Sequence, residues 1–215
     1  MTAALALEGV SKNYRIAGRP TVAVDGVDLH VDPEEVVWLR GPSGSGKSTV
    51  IRIAGLLTPP DRGLVRFAGS AVSLGKAADA VRRDLVGMVF QHDNLLPELT
   101  LLDNLRVALR KPRPEAELRS LLAQFDLGDV ADSVAKQVSG GQAQRAAICR
   151  ALAKEPSVLL ADEPTSGLDT TNAELVRDRL KAAARSGCAV LVSSHDDHTA
   201  QIADRTITLK AGAHV

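Results

Sequence analysis

The stretch "EVVWLRGPSGSGKSTVIRIAGLL", residues 35–57, constrains this chain more than any other. An apolar run of strand type enters a loop with glycines at 41, 44 and 46, and a helical pattern leaves it. Residues 41–48 fit G-x-x-x-x-G-K-[ST], in the strand-to-helix setting that this pattern requires. Average composition yields the bare pattern in roughly one chain in a hundred of this size, so the flanking strand and helix decide its meaning. Glycines let successive backbone N–H groups turn inward around phosphate oxygens, and the helix start adds positive potential. The expected cradle is Gly41, Pro42, Ser43, Gly44, Ser45, Gly46, Lys47, Ser48 and Thr49, with Lys47 on the outer phosphates and the Ser48 hydroxyl on Mg²⁺.

A second feature depends on the first. "VLLADEP", residues 158–164, ends an apolar strand in Asp162 and Glu163, at the edge where an α/β sheet presents ligands. By itself a "DE" pair is more often a polar cap on a buried strand. Behind a phosphate loop, Asp162 suits Mg²⁺ and Glu163 suits polarising the attacking water. Adjacent side chains on a strand point to opposite faces, so that division of labour requires the strand to be ending, and Pro164 favours such a break.

A third feature looks redundant. In "VSGGQ", residues 138–142, Ser139, Gly140 and Gly141 can open a helix with exposed N–H groups, a second anion-shaped backbone in a chain that already has one. With one nucleotide per chain, the second site is either unused or meant for another molecule's nucleotide. A head-to-tail pair of identical chains would use both, each nucleotide lying between the loop of one subunit and the "SGGQ" helix start, Gln142 included, of the other.

The remaining pattern fits around these motifs. Strands are expected at the N-terminus ("LALEGVSKNYR", "TVAVDGVDLHV"), at 64–67, 86–90 and 157–162, then as "CAVLVSS" and "RTITLK". Helices are expected from the phosphate loop onward, at 142–153 and at 171–186. Residues 91–137 carry helical signals, with Thr100 and Asp103 resembling a capping box and "PEAELRSLLAQFDLG" running from an early Pro to a Gly. The expected fold is α/β: a P-loop NTPase core with a mostly parallel sheet, an N-terminal antiparallel β subdomain and an inserted helical lobe. We take residues 1–215 as one domain, with a core at 1–90 and 138–215 and the lobe at about 91–137.

Composition removes several function classes. Lys plus Arg and Asp plus Glu number 26 each, so nothing general draws the chain to nucleic acid or to an anionic membrane. No run of eighteen apolar residues and no signal-peptide pattern is present, so a cytosolic chain is expected, with any membrane role passing through a partner. Cys149 and Cys188 match no metal spacing and read as buried reduced thiols.

With these motifs in place, the sequence resembles the ATP-binding cassette (ABC) family of ATPases over essentially its whole length. In that family the "VSGGQ" pentad is the signature that closes over ATP in trans; Val138 stands where leucine is usual and keeps an apolar anchor. The resemblance implies further roles. Tyr14 would stack on adenine, although a lone strand tyrosine is more often packing. Gln91, ending "GMVFQ", would touch Mg²⁺ and the attacking water. Asp169, ending "SGLD", would lie on the loop that communicates across the dimer, and His195, after "VLVSS", would contact the γ-phosphate. His198 stands three residues on from His195, but no third ligand is evident for a metal.

The resemblance therefore implies an ATPase with Glu163, His195, Gln91 and Lys47 as catalytic groups, Ser48, Gln91 and Asp162 on the metal, and ATP and Mg²⁺ as cofactors. It also implies a homodimer across two ATP, joined to two copies of a transmembrane permease at the cytoplasmic face of the cell membrane. "QHDNLLPELTLLDNL" and the compact length resemble the subunits of lipoprotein-release, macrolide-efflux and haem-efflux exporters. The expected substrate is thus an amphiphile: haem, drug, peptide or lipoprotein. A non-transporting signalling complex of the cell-division type is the alternative.

Overall fold

The computed structural model describes residues 2–16, 18–92 and 94–210. The chain opens with a hairpin, β1 (Leu5–Ile16) and β2 (Arg19–Val31), followed by β3 (Val36–Arg40) and α1 (Lys47–Ala54). β4 (Arg62–Phe67), β5 (Ser70–Ala71), α2 (Lys76–Asp84) and β6 (Val86–Val89) complete the first half. α3 (Leu101–Ala108) and α4 (Glu115–Ala123) lead to α5 (Gly140–Ala153), β7 (Val158–Asp162), α6 (Thr170–Arg185), β8 (Ala189–Ser193) and β9 (Arg205–Thr208).

These strands make two sheets. β2-β1-β4-β5 is antiparallel, and β6-β7-β8-β3-β9 is parallel throughout. The parallel strands read as continuous apolar runs because both faces are covered. Period-two alternation sorts them. Leu159, Ala161, Val190 and Val192 enter one buried cluster with α3 to α6, whereas Val158, Leu160, Ala189 and Leu191 enter another with α1 and the antiparallel sheet. Leu101, Leu105, Leu118, Leu122 and Phe125 share the first cluster with α5 and α6, so the helices of residues 91–137 pack on the sheet's own core.

The structure departs from the sequence reading in several places. α2 was not expected; it is short and polar, and Ala78 is its buried residue. α5 starts at Gly140 rather than at 142, because Ser139 and Gln142 form a capping box that holds both glycines in the first turn. α4 stops at Ala123, short of Gly128, where Asp126 takes a φ of 54° and the chain turns early. β6 ends at Val89. Residue 93 of the "QHDNLLPELTLLDNL" stretch lies outside the described residues.

Candidate nucleotide site

β3 delivers the chain to the phosphate loop, and packing fixes two glycines there. A Cβ on Gly41 would lie 2.5 Å from Ser45 Oγ and 2.6 Å from Leu209 O. Gly46 adopts φ 97°, and a Cβ there would lie 2.3 Å from Ala23 O of β2, so the hairpin borders the loop directly. Gly46 is also the N-cap of α1 and offers no side-chain acceptor, which leaves the first-turn N–H groups of Lys47, Ser48 and Thr49 without an intrahelical partner. Pro42, Ser43 and Gly44 are exposed, whereas Ser45 and Lys47 are buried.

Lys47 folds back over this loop. Its Nζ donates to Gly41 O at 2.8 Å and to Pro42 O at 3.2 Å. Burial lowers its pKa, and the charges of Glu163 and Asp162 work in the opposite direction. Ser45 Oγ is buried with no hydrogen-bond partner among the described residues.

The acidic side is built where β7 stops. Asp162 is its last residue and accepts a hydrogen bond from Ser193 Oγ of β8. Glu163 takes φ 50°, a left-handed conformation in which the backbone leaves the sheet, so the two carboxylates escape strict alternation. Glu163 N donates to Ser193 O at 2.9 Å, and Glu163 Oε2 accepts from His195 N at 3.2 Å. Oε1 lies 3.1 Å from His195 Nε2, at ion-pair distance but out of hydrogen-bond alignment, and no donor among the described residues serves it. Burial pushes the Glu163 carboxyl above the usual range, against the opposing pull of the His195 amide, the His195 ring and Lys47. His195 Nε2 in turn lies 3.4 Å from Lys47 Nζ. Lys47, Asp162, Glu163 and His195 therefore form one cluster. His198 has its Nδ1 3.2 Å from Gln201 Nε2 and lines the open cavity that Glu163 and His195 border.

Other expected site residues lie outside this cluster. Gln91 lines an open cavity of about 300 Å³ with His92, Lys136, Gly140 and Gln144, and has no hydrogen bond to Lys47, Glu163 or His195. Tyr14 is half-buried on β1, with the Lys12 ammonium 5.9 Å from its ring centroid. Ser139 Oγ accepts from Gln142 N at 3.2 Å while Gln142 Oε1 accepts from Ser139 N at 2.9 Å. A Cβ on Gly140 would meet nothing within 4 Å. Asp169 caps α6 by accepting from Asn172 N at 2.9 Å, and Asn172 Oδ1 accepts from Arg145 of α5. None of these bonds reaches residues 41–49.

Sequence reasoning missed Ser193, which is fully buried between Asp162 and the Glu163 amide. It also missed the pairing of Arg177 with Asp196. Neither had a local signal, because each pair joins residues distant in the chain.

A family model for ABC transporters matches residues 24–166. The chain belongs to the ABC transporter family. The lipoprotein-releasing system ATP-binding protein LolD 1 of Rhodospirillum rubrum is 41% identical over 221 residues, covering 98% of this cassette and 96% of that protein. LolD 2 of Caulobacter vibrioides is 42% identical over 216 residues, with 97% and 95% covered. Among solved structures, a dimeric bacterial ABC transporter cassette superposes with a TM-score of 0.91 at 35% identity, covering 98% of this chain and 96% of that one. The same cassette in a post-hydrolysis dimer bound to ADP and Pi gives 0.89 at 36% identity. The cassette thus has the P-loop NTPase fold and hydrolyses ATP with Mg²⁺.

Proposed function

We propose that the cassette is the motor of a membrane transporter, working as a homodimer that sandwiches two ATP and drives a separate permease. The observation that carries this reading is the state of the α5 start. Ser139 Oγ takes the Gln142 N–H, but the N–H groups of Gly140 and Gly141 have no intrahelical partner and a Cβ on Gly140 would meet nothing within 4 Å, while Lys47 and the loop at residues 41–46 form another anion cradle. A phosphate held by one subunit's loop and closed over by the other's Ser139, Gly140, Gly141 and Gln142 uses both. Dimeric relatives of the same fold support it.

The residues fit ATP and Mg²⁺ on their own chemistry. Ser45 Oγ is a buried hydroxyl awaiting an acceptor, and Lys47 Nζ, now spent on its own loop carbonyls, would turn to the β- and γ-phosphates. Ser48, Gln91 and Asp162 would hold Mg²⁺, which when bound neutralises the phosphate charge. Glu163 Oε1, with no donor among the described residues, would accept a hydrogen bond from water and take its proton as the water oxygen attacks the γ-phosphorus in line. The bond to the bridging oxygen of the β-phosphate breaks, leaving ADP and phosphate. Burial raises the Glu163 carboxyl above the usual range, which makes the carboxylate a stronger acceptor for that proton. His195 faces the γ-phosphate from beside Lys47, Tyr14 offers a ring to adenine, and Asp169 lies on the loop that meets the partner subunit.

We take residues 1–215 as one nucleotide-binding domain, with residues 91–137 as the part that receives the permease; the cavity beside Gln91 supports this. No described helix is long and apolar enough to cross a membrane, so attachment at the cytoplasmic face passes through the permease. The relatives named for lipoprotein release favour a lipid-modified protein among the amphiphiles. Glu163→Gln, purified with its permease and saturated with Mg-ATP, is expected to lose roughly a hundredfold or more in turnover. It should retain ATP and persist as a closed dimer in solution scattering. Monomeric cassettes under those conditions, or unaltered phosphate release, would end this reading.

A further inference from the structure

Arg177 is buried on α6, and its Nη1 donates to Asp196 Oδ2 at 2.8 Å. The other oxygen of Asp196 accepts from His198 N at 2.9 Å and caps the short turn Asp197–Gln201. One carboxylate therefore fastens the segment after β8 both to its own turn and to α6. The base of this attachment is firm: α6 is capped by Asp169 and tied through Asn172 to Arg145 of α5.

The adjacent His195 has no such packing. Its side chain is 54% exposed, so its approach to Lys47 Nζ and Glu163 Oε1 is set by where the backbone places it. That backbone is held on one side by the Glu163 carboxylate and on the other by Asp196. Glu163, Arg177, His195 and Asp196 line one open cavity of about 350 Å³. A buried guanidinium left without its carboxylate is costly, so this tether resists displacement.

We propose that Arg177 is a positioning residue for hydrolysis, holding His195 against the γ-phosphate site through Asp196. The proposal rests on the role given to His195 above. In the full-length protein, Arg177→Met keeps the stem and removes the charge; kcat should fall about tenfold while the KM for ATP stays within about twofold. Arg177→Lys should restore most of the lost turnover. The deciding comparison places Arg177→Met in a His195→Ala background, where no further loss of kcat is expected because the two changes act on one group. A second tenfold loss there, or wild-type kcat for Arg177→Met alone, overturns the proposal while leaving the role of His195 intact. Wild-type turnover by His195→Ala removes that role, and the proposal with it. Should Arg177→Met fail to fold, Asp196→Asn, which keeps an oxygen for the His198 amide, carries the same comparison.

Discussion

Glu163 stands where an apolar strand gives way to a loop, in a conformation that non-glycine residues seldom adopt, with one carboxylate oxygen buried and without a donor among the described residues. The folded carboxyl is raised by burial above its value in the unfolded chain. The destabilisation from keeping it ionised is therefore absent at pH below the unfolded pKa and complete above the folded one. A neutral amide of the same shape escapes it. Glu163→Gln should accordingly unfold at a higher temperature than wild type at pH 7, with the gain shrinking as the pH falls through the glutamate range. Calorimetry at the two ends of that range checks this, and an equal gain at both would show that charge is not the cause. Lys47, Ser48, Asp162 and Glu163 stand out as candidates in the sequence because their motifs are contiguous and their chemistry is set by residue type, and the fold brings Lys47 to the two carboxylates. Ser193, Arg177 and Asp196 do not stand out, because a serine in an apolar strand or an arginine on a helix gains its meaning from a partner brought near by folding.

The first turn of α5 illustrates competition at the scale of an element. Two glycines argue against helix by propensity, and the sequence reading began the helix after them. The reciprocal hydrogen bonds of Ser139 and Gln142 outweigh that cost locally and bring both glycines inside. α2 was missed for the opposite reason: its apolar face is buried Ala78 with partly buried Val81 beside it, too little for periodicity to register. The cap also separates stability from function. Ser139→Asp retains an N-cap acceptor, so the chain should unfold within about 0.5 kcal/mol of wild type. Its charge would face the partner's phosphates, and turnover should fall about a hundredfold while ATP still binds at Lys47. Ser139→Ala loses the cap, costing about 1 kcal/mol, yet adds no charge and should keep more activity. Thermal unfolding and phosphate release measured on both variants should therefore rank them in opposite orders; the same order in both would deny the α5 start its role in trans.

At the scale of the whole molecule, two separated anion sites in one chain imply that a working centre takes half from each subunit. Lys47→Ala and Ser139→Asp should each be strongly impaired alone. Mixed, they form some pairs in which an intact loop meets an intact α5 start, so ATPase activity should return on mixing. Mixtures no more active than their components would mean that each chain completes its own centre. The order of the parallel sheet, β6-β7-β8-β3-β9, creates the cluster behind these expectations, since β3 and β7 both flank β8 and end on the same edge. Sequence alone determined the motifs, the alternation of strands and helices, and the class of chemistry, because loop geometry, hydrophobic period and residue type are local properties. Tertiary structure alone decided that His195 lies between Lys47 and Glu163 and that Asp196 is tied to α6. Those are relations between strands and helices remote in the chain, fixed by packing on the two faces of one sheet, and no local pattern encodes them.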